Sequence, residues 1–246
     1  MKKKIVILMT VLLLIFSSMV TFVACGDESN DETLKEGVAR DDESNDETLE
    51  EGVIVLTNAV IGEKAYIGDE TIKKVVVKAS VVKILDMAFS GCENLETIVF
   101  EEGITTIGKQ AFQGCTKLKN IVFPASLTYI GSYAFIDCSG IESISFASGS
   151  QIKAFYEYSF ANCSSLKSVV IPASMEAIDK YVFAGCSKLS DVTFEDTTTW
   201  YACFSYTDWI NKTGGNQCDA TDKEFMSSRL RYNVNEFVHP IFWYKL

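Results

Sequence analysis

The stretch Ala88–Phe100, "AFSGCENLETIVF", places one cysteine between a short apolar turn and a run in which polar and apolar residues alternate. The pattern recurs along the chain, and its cysteines follow one another at steps of 23, 23, 25 and 23 residues: Cys92, Cys115, Cys138, Cys163 and Cys186. A weaker copy, "DETIKKVVV", precedes them at Asp69–Val77. A fixed period of about 20 to 50 residues is the sequence signature of coils that stack into a solenoid.

Each repeat predicts one strand of a parallel sheet. In "LETIVF", Ile98 and Phe100 alternate with Thr97 and Val99, which is the two-residue period of a strand with one buried face. The six predicted strands begin at Ile72, Leu95, Leu118, Ile141, Leu166 and Leu189. The predicted fold is an α/β-type repeat, a solenoid of six coils with the sheet on one face. Short helical or 3₁₀ turns such as "IGKQAF" are expected on the opposite face.

The repeated cysteine is predicted to lie in the core. The residue before it tolerates a left-handed backbone, so we expect a reversing turn at each of these positions: Gly91, Gly114, Asp137, Asn162 and Gly185. Equivalent atoms of stacked coils lie about 5 Å apart, whereas the Cβ atoms of a disulfide lie about 3.8 Å apart. Buried free thiols are therefore favoured over a ladder of disulfides, and metal binding or catalysis is the third alternative. The phenylalanines at matched positions predict a buried aromatic row: Phe89, Phe112, Phe135, Phe160 and Phe183.

Residues 1–24 have the three parts of a secretory signal peptide. Three lysines precede an apolar run at 5–16, and smaller residues lead to Ala24. An uncleaved membrane helix is the alternative, since residues 5–24 are just long enough to span a bilayer. The residues that follow the apolar run favour the signal peptide, because "FVAC" at residues 22–25 resembles the lipobox of bacterial lipoproteins, in which the cysteine is lipidated. The resemblance implies a lipid anchor on Cys25 and an extracytoplasmic protein held at the cell surface.

Residues 25–52 predict an acidic, disordered tether. They contain two copies of "DESNDETL", which begin 15 residues apart at Asp27 and Asp42. Residues 27–52 hold 12 acidic side chains and two basic ones, and no aromatic residue, so they cannot bury enough surface to fold. The formal net charge of the whole chain is −11. No nucleic-acid partner is predicted, because binding to phosphates requires a basic surface.

Residues 196–246 predict an aromatic cap over the last coil. The segment holds all three tryptophans: Trp200, Trp209 and Trp243. A sugar-binding aromatic patch is the alternative. Cys203 and Cys218 are disulfide candidates, because they lie outside the repeat in a protein expected outside the cytosol. The single histidine, His239, would have to adjoin one of them to form a nucleophilic site, and the sequence shows no orienting partner for it.

The repeat resembles the BspA-type leucine-rich repeat, whose pattern is "AF-x-x-C-x-x-L-x-x-I-x-F-P". The resemblance covers residues 61–195, and the solenoid domain is predicted at 53–195. It implies a cell-surface protein that binds proteins, for adhesion to host matrix proteins or to other cells. No catalytic residue, metal site or cofactor is predicted. The fourth copy is two residues longer, around "ASGSQ", and predicts a bulged loop within a continuous solenoid.

The predicted protein-binding surface is the outward face of the sheet. Its residues alternate with the core positions of the strands: Lys74, Thr97, Val99, Asn120, Val122, Ser143, Ser145, Ser168, Val170, Asp191 and Thr193. Most of these side chains are small, polar or β-branched, and a plain solvated sheet is the other interpretation. The second hypothesis for function is a surface or periplasmic lipoprotein that captures a small ligand or glycan at the aromatic C-terminal end.

Overall fold

The computed structural model describes residues 51–197, 200–203, 216–218, 221–222, 226, 229–230 and 242–245. All of them belong to the compact unit that spans residues 43–246. Within these ranges, no helix has the length and apolarity needed to cross a membrane. The predicted signal peptide, the lipidation site Cys25 and residues 25–50 of the tether lie outside the described residues.

Long and short strands alternate along the solenoid. In chain order they are β1 (Val53–Leu56), β2 (Val60–Ile61), β3 (Lys74–Val77), β4 (Lys83–Ile84), β5 (Thr97–Phe100), β6 (Thr106–Ile107), β7 (Asn120–Phe123), β8 (Tyr129–Ile130), β9 (Ser143–Phe146), β10 (Ala154–Phe155), β11 (Ser168–Ile171), β12 (Ala177–Ile178) and β13 (Asp191–Phe194). Three further strands follow the last repeat: β14 (Trp200–Cys203), β15 (Asn216–Cys218) and β16 (Phe242–Lys245).

The four-residue strands form the predicted parallel sheet. β1, β3 and β5 pair in one group, and β7, β9, β11 and β13 pair in a second group. At the junction the Lys119 N–H donates to the Glu96 carbonyl over 3.2 Å. Lys74 of β3 aligns with Thr97 of β5, so equivalent residues of successive coils lie side by side. The predicted solenoid with a parallel sheet is therefore confirmed.

The strands differ from the prediction in their start and in their number. Leu95 lies before β5, because its N–H donates to the Cys92 carbonyl (3.1 Å) and completes a turn. The strands accordingly begin two residues after the predicted positions. β1 pairs with β3 in parallel and was not among the six predicted strands, since no cysteine turn precedes it in the sequence.

The two-residue strands form a second ladder. β2, β4, β6 and β8 pair in parallel, and β10 pairs with β12. The prediction of short helical or 3₁₀ turns here was wrong: the described residues of the repeats form these short strands and hydrogen-bonded turns. The reason is that the backbone bonds to the next coil. The N–H groups of Met87 and Phe89 donate to the carbonyls of Lys109 and Ala111, over 2.9 and 2.7 Å.

Two left-handed residues per coil shape these turns. The five residues before the cysteines all have positive φ, as predicted: Gly91, Gly114, Asp137, Asn162 and Gly185. A second left-handed position lies four residues earlier and carries side chains that rarely adopt it: Met87, Gln110, Tyr133, Tyr158 and Tyr181. Because a left-handed residue interrupts an α-helical hydrogen-bond pattern, the pair explains why no helix forms in these turns.

The long fourth copy bulges without breaking the solenoid, as predicted. β9 and β11 align at only two residue pairs, Ser143 with Ser168 and Ile144 with Val169. Gly149 in the inserted loop has φ 79°. The aromatic core nevertheless continues across the insertion, because the rings of Phe135 and Phe160, on either side of it, stack with centroids 5.4 Å apart. The extra residues therefore lie in the connecting loop, outside the packed core.

The predicted phenylalanine row is the centre of the core. Phe89, Phe112, Phe135 and Phe160 are fully buried, and successive rings stack with centroids 5.2, 5.1 and 5.4 Å apart. Phe183 continues the row at 5.8 Å. Each aromatic pair contributes about 0.5–1.5 kcal/mol beyond the burial of its area. Stacking of identical rings therefore favours coils that repeat in register.

The C-terminal strands extend the second ladder. β16 pairs antiparallel with β12 and with β14. Trp200, Trp243 and Tyr244 are all at most 2% exposed. The ammonium group of Lys245 donates to the Ala173 carbonyl over 3.0 Å. The cap over residues 196–246 stays a prediction, because most of these residues lie outside the described ranges.

Candidate interaction surface

The cysteine column has a structural role in this geometry. The thiol of Cys115 donates to the Phe89 carbonyl over 3.3 Å, and the thiol of Cys138 donates to the Phe112 carbonyl over 3.0 Å. The same bond recurs from Cys92, Cys163 and Cys186 to the aromatic residue at the matched position of the preceding coil. Each thiol thus donates a hydrogen bond to a backbone carbonyl in the turn of the preceding coil.

The thiols are poor nucleophiles. All five repeat cysteines are free and buried, as favoured by their spacing. Burial raises the pKa of Cys92 to about 12, and a hydrogen bond with the Cys138 thiol together with burial raises the pKa of Cys115 well above its usual range. The thiolate form needed for catalysis or metal binding is therefore disfavoured. Across the described ranges, no group of three or more potential metal ligands comes together.

The structure brings the predicted binding residues together on one face of the long-strand sheet. Their side chains are exposed or half-exposed, and the residues between them are buried. Two rows cross the strands. The first row contains Lys74, Thr97, Asn120, Ser143, Ser168 and Asp191, and the second contains Val76, Val99, Val122, Ser145, Val170 and Thr193. These two rows are called the sheet face below.

An apolar stripe crosses the sheet face near its N-terminal end. Val99 is 43% exposed and Val122 is 59% exposed. Val76 aligns with Val99 on one side, and with Val55 of β1 on the other. Val55, which is 38% exposed, was missed because its strand was not predicted. A stripe of adjacent exposed valines is surface that a protein partner can desolvate.

Charged side chains beside the sheet face pair between coils. Lys167 and Glu142 form an ion pair of 2.6 Å, and Lys78 and Glu101 form one of 2.8 Å. The pairs lower the pKa of both carboxyl groups, mainly through the side-chain hydrogen bonds from the lysines. Exposed pairs of this kind add little stability. Each ion pair offsets one positive and one negative charge beside the sheet face. The valine stripe is therefore the feature that distinguishes this surface.

A tyrosine cluster lies on the turns and was not predicted. Tyr133, Tyr158 and Tyr181 stack with centroids 5.1 and 4.9 Å apart. The ammonium groups of Lys109 and Lys180 lie 5.8 and 5.9 Å from the centroids of Tyr133 and Tyr181. The three tyrosines keep the repeat period in the sequence, which is the signal that could have revealed them. The rings stack on one another and lie near the two lysines, so contacts within the solenoid account for the arrangement of the cluster.

Strand pairing does not place the two disulfide candidates opposite each other. In the β14–β15 pair, Cys218 aligns with Trp200, three residues along the strand from Cys203. That offset is about 10 Å along a strand, beyond the roughly 7 Å that Cα atoms of a disulfide span. A bridge between them would require another register, so the disulfide stays a prediction that this pairing does not support. His239 and Trp209 lie outside the described residues.

The geometry agrees with comparisons to known proteins. The model of the BspA-type leucine-rich-repeat region matches residues 59–190 as six copies. The chain belongs to this family. No curated protein matches it significantly. The matched range includes the weak repeat around Asp69–Val77, whose strand β3 follows the common register.

Solved structures of two bacterial proteins are similar to this solenoid. One is a leucine-rich cell-surface protein from Faecalibacterium prausnitzii, 25% identical with a TM-score of 0.52, in a match that covers 60% of this chain and 39% of that one. The other is the pneumococcal vaccine antigen PcpA, 22% identical with a TM-score of 0.51, covering 57% and 37%. The latter likeness concerns the fold alone. The match spans under two fifths of the length of either protein.

Proposed function

We propose that this chain is a lipid-anchored bacterial cell-surface protein that binds other proteins through its sheet face. The observation that carries the proposal is the exposed valine stripe, in which Val99 and Val122 project from the neighbouring strands β5 and β7. Leucine-rich-repeat domains generally mediate protein–protein interactions and generally act as scaffolds without enzymatic activity. The partner class is a host matrix protein or a protein on another cell.

The anchor is supported by sequence alone. The apolar leader and the lipobox-like "FVAC" place a candidate acylation site at Cys25. Acyl chains on the mature N-terminus would hold the protein on a membrane, since stable anchoring takes more than one chain. Labelled palmitate should enter the wild-type chain in a bacterial host and not the Cys25→Ala variant. Equal labelling of both would reject lipidation at this residue.

The binding role is tested by capture of matrix proteins on the full chain. Fibrous and adhesive matrix proteins are immobilised, and binding is compared for wild type and Val122→Asp. A buried charge opposite a partner should lower the affinity at least about ten-fold. Val82→Asp is the matched control, because Val82 is also an exposed valine (38%) but lies outside the sheet face. Equal losses in both variants, or no capture by wild type, would reject the proposal.

The alternative, capture of a small ligand at the aromatic C-terminal end, lacks a supporting observation. Trp200 and Trp243 are each 1% exposed, and Trp200 packs against Phe194 with ring centroids 5.2 Å apart. A ligand that stacked on these indoles would have to displace core packing. Burial of the two tryptophans therefore favours a structural role for them.

A further inference from the structure

The tyrosine cluster on the turns occupies a strained backbone position. Tyr133, Tyr158 and Tyr181 take the same place in three successive coils, with left-handed φ angles of 62°, 57° and 60°. This conformation is unfavourable for a residue with a bulky side chain. Met87 and Gln110 hold the same place in two earlier coils, so the turn does not itself require a tyrosine. Strained residues concentrate at functional sites, which makes the cluster a candidate for one.

The rings of the cluster touch through their faces. The planes of Tyr133 and Tyr158 differ by 17°, and their centroids lie 5.1 Å apart. Tyr158 and Tyr181 differ by 21°, at 4.9 Å. The Tyr133 N–H donates to the Glu157 carbonyl over 3.1 Å, which ties the backbones of the two coils together beside the first ring pair. The ring carbons next to the hydroxyls of Tyr133 and Tyr158 are therefore held close to one another.

The phenol rings of the cluster are accessible, whereas the thiols of the repeat are not. Tyr133, Tyr158 and Tyr181 are half-buried, so part of each ring meets solvent. The five repeat cysteines are free and buried, which protects them from oxidation. Burial raises the pKa of Tyr133 and of Tyr158. These phenols are therefore neutral near neutral pH, and each gives up a proton with the electron that it loses.

The ring pair of Tyr133 and Tyr158 bridges a junction at which the strand ladders are incomplete. β9 and β11 align at only two residue pairs, and β8 and β10 belong to different sheets. At the junction bridged by Tyr158 and Tyr181, β11 and β13 align at four pairs, and β10 pairs with β12. A covalent bond between the first two rings would thus join two coils where strand pairing is weakest. The weaker pairing also leaves those rings more freedom to move from stacking distance to bonding distance.

We propose that Tyr133 and Tyr158 form an oxidative cross-linking site, at which a haem peroxidase with hydrogen peroxide joins the two rings as dityrosine. Each phenol loses one electron and one proton and becomes a tyrosyl radical. The two radicals combine in a carbon–carbon bond between the ring positions beside the hydroxyls, and the hydrogen on each joined carbon moves to the oxygen and restores the phenol. The two electrons and two protons reduce one hydrogen peroxide to two waters.

The new bond would close a covalent loop around residues 134–157 and staple the two coils together. Closing such a loop stabilises the folded chain by restricting the unfolded one, as a disulfide does. The cross-linking site is separate from the sheet face, and its test does not depend on the function proposed above.

The test is oxidation of the full chain at low protein concentration by a haem peroxidase and hydrogen peroxide. The fluorescence of dityrosine reports the reaction, and mass spectrometry of tryptic peptides locates the bond. Cleavage after lysine separates Tyr133, in peptide 120–153, from Tyr158, in peptide 154–167. These two peptides should appear joined, with the loss of two hydrogen atoms, in protein that remains monomeric on a denaturing gel. The thermal midpoint of the oxidised chain should rise by about 5 °C or more.

Phenylalanine variants test which rings react. Tyr133→Phe keeps the ring and its stacking but has no phenol, so it should lose the joined peptides and the rise in thermal midpoint. Tyr129→Phe is the matched control, because Tyr129 lies in the same tryptic peptide and its centroid is 5.0 Å from that of Tyr156, at an angle of 46°. This control should keep both signals. Circular dichroism verifies each fold, and Tyr158→Phe replaces Tyr133→Phe if the latter does not fold.

Four results would overturn the proposal. Loss of the joined peptides in Tyr129→Phe and not in Tyr133→Phe would assign the bond to Tyr129 and Tyr156. Joining of peptide 154–167 mainly to peptide 181–188, which contains Tyr181, would place the bond at the other junction. Dimers as the main product would show that the rings react between chains. A cross-linked monomer with an unchanged thermal midpoint would rule out a staple.

Discussion

Replacing Ser159 with alanine is expected to stabilise the solenoid. Ser159 is fully buried, and its hydroxyl has no hydrogen-bond partner among the described residues. The residue before the core phenylalanine is alanine in the preceding repeats, at Ala88, Ala111 and Ala134. The backbone hydrogen bond is the same at alanine and at serine: the carbonyls of Ala134 and Ser159 each accept the N–H of a phenylalanine one coil earlier, over 2.8 Å. The hydroxyl is thus an addition to a site shaped for a methyl group.

The size of the effect follows from two opposing terms. A buried hydroxyl without a partner costs about 1–3 kcal/mol. Removing one oxygen atom forfeits its dispersion contacts, which amount to a few tenths of a kcal/mol and rarely more than about 0.5. The helix and strand preferences of the two residues do not enter, because Ser159 lies in a turn. We therefore expect Ser159→Ala to raise the free energy of unfolding by about 1–2 kcal/mol.

Urea denaturation followed by far-ultraviolet circular dichroism measures this change. A constant m-value is required, because repeat arrays can lose cooperativity and then have no single unfolding free energy. The matched control is the reverse change, Ala134→Ser, at the same position of the preceding coil. It should destabilise the protein by about 1–3 kcal/mol. If Ser159→Ala is no more stable than wild type, the hydroxyl has a partner in solution, such as a buried water, and the reasoning is wrong.

Three further predictions concern packing, thiols and pH. Gly131→Ala should destabilise the protein by about 2–3 kcal/mol in urea, because the new methyl carbon would lie 2.7 Å from the backbone nitrogen of Lys109; an unchanged midpoint would contradict this contact. Cys92 should react with maleimide only after unfolding, as mapped by mass spectrometry, because burial raises its pKa to about 12; rapid labelling of the native protein would refute burial of the column. The carboxyl groups of Glu101 and Glu142 have folded pKa values below the usual 4.5, so their contribution is present above that pH and is lost as the pH falls through the lowered values. Urea midpoints should therefore decline below about pH 4.5, and replacing both residues with glutamine should flatten that decline.

The sequence was a good guide to the parts of the fold that repeat. The buried cysteines, the phenylalanine row and the left-handed residues before each cysteine all followed from one period. They could be read because each coil packs on its neighbour, so a side chain that fits once must fit again 23 residues later. Val99 and Val122 of the sheet face were found in the same way, since strand alternation assigns inward and outward positions.

Two features that the sequence did not reveal, strand β1 and the turns without helix, depend on backbone hydrogen bonds. β1 was missed because a strand at the end of a ladder needs only a few suitable residues and a partner edge. The turns were predicted as helical because "IGKQAF" has an apolar spacing compatible with a helix. In the folded chain, the Met87 N–H donates to the carbonyl of Lys109, 22 residues later. Met87 also adopts a left-handed φ of 57°, a conformation that the presence of a methionine in the sequence does not predict.

The amino-acid sequence by itself determined the repeat, its register and the burial of its side chains, because these depend on the size and polarity of each residue. The tertiary structure decided where the backbone hydrogen bonds go, and with them the second ladder, the pairing of β1 with β3 and the stacking of the tyrosines on the turns. Every residue except proline carries the same N–H and carbonyl. Their partners are therefore set only when the coils stack, and composition and spacing leave them open.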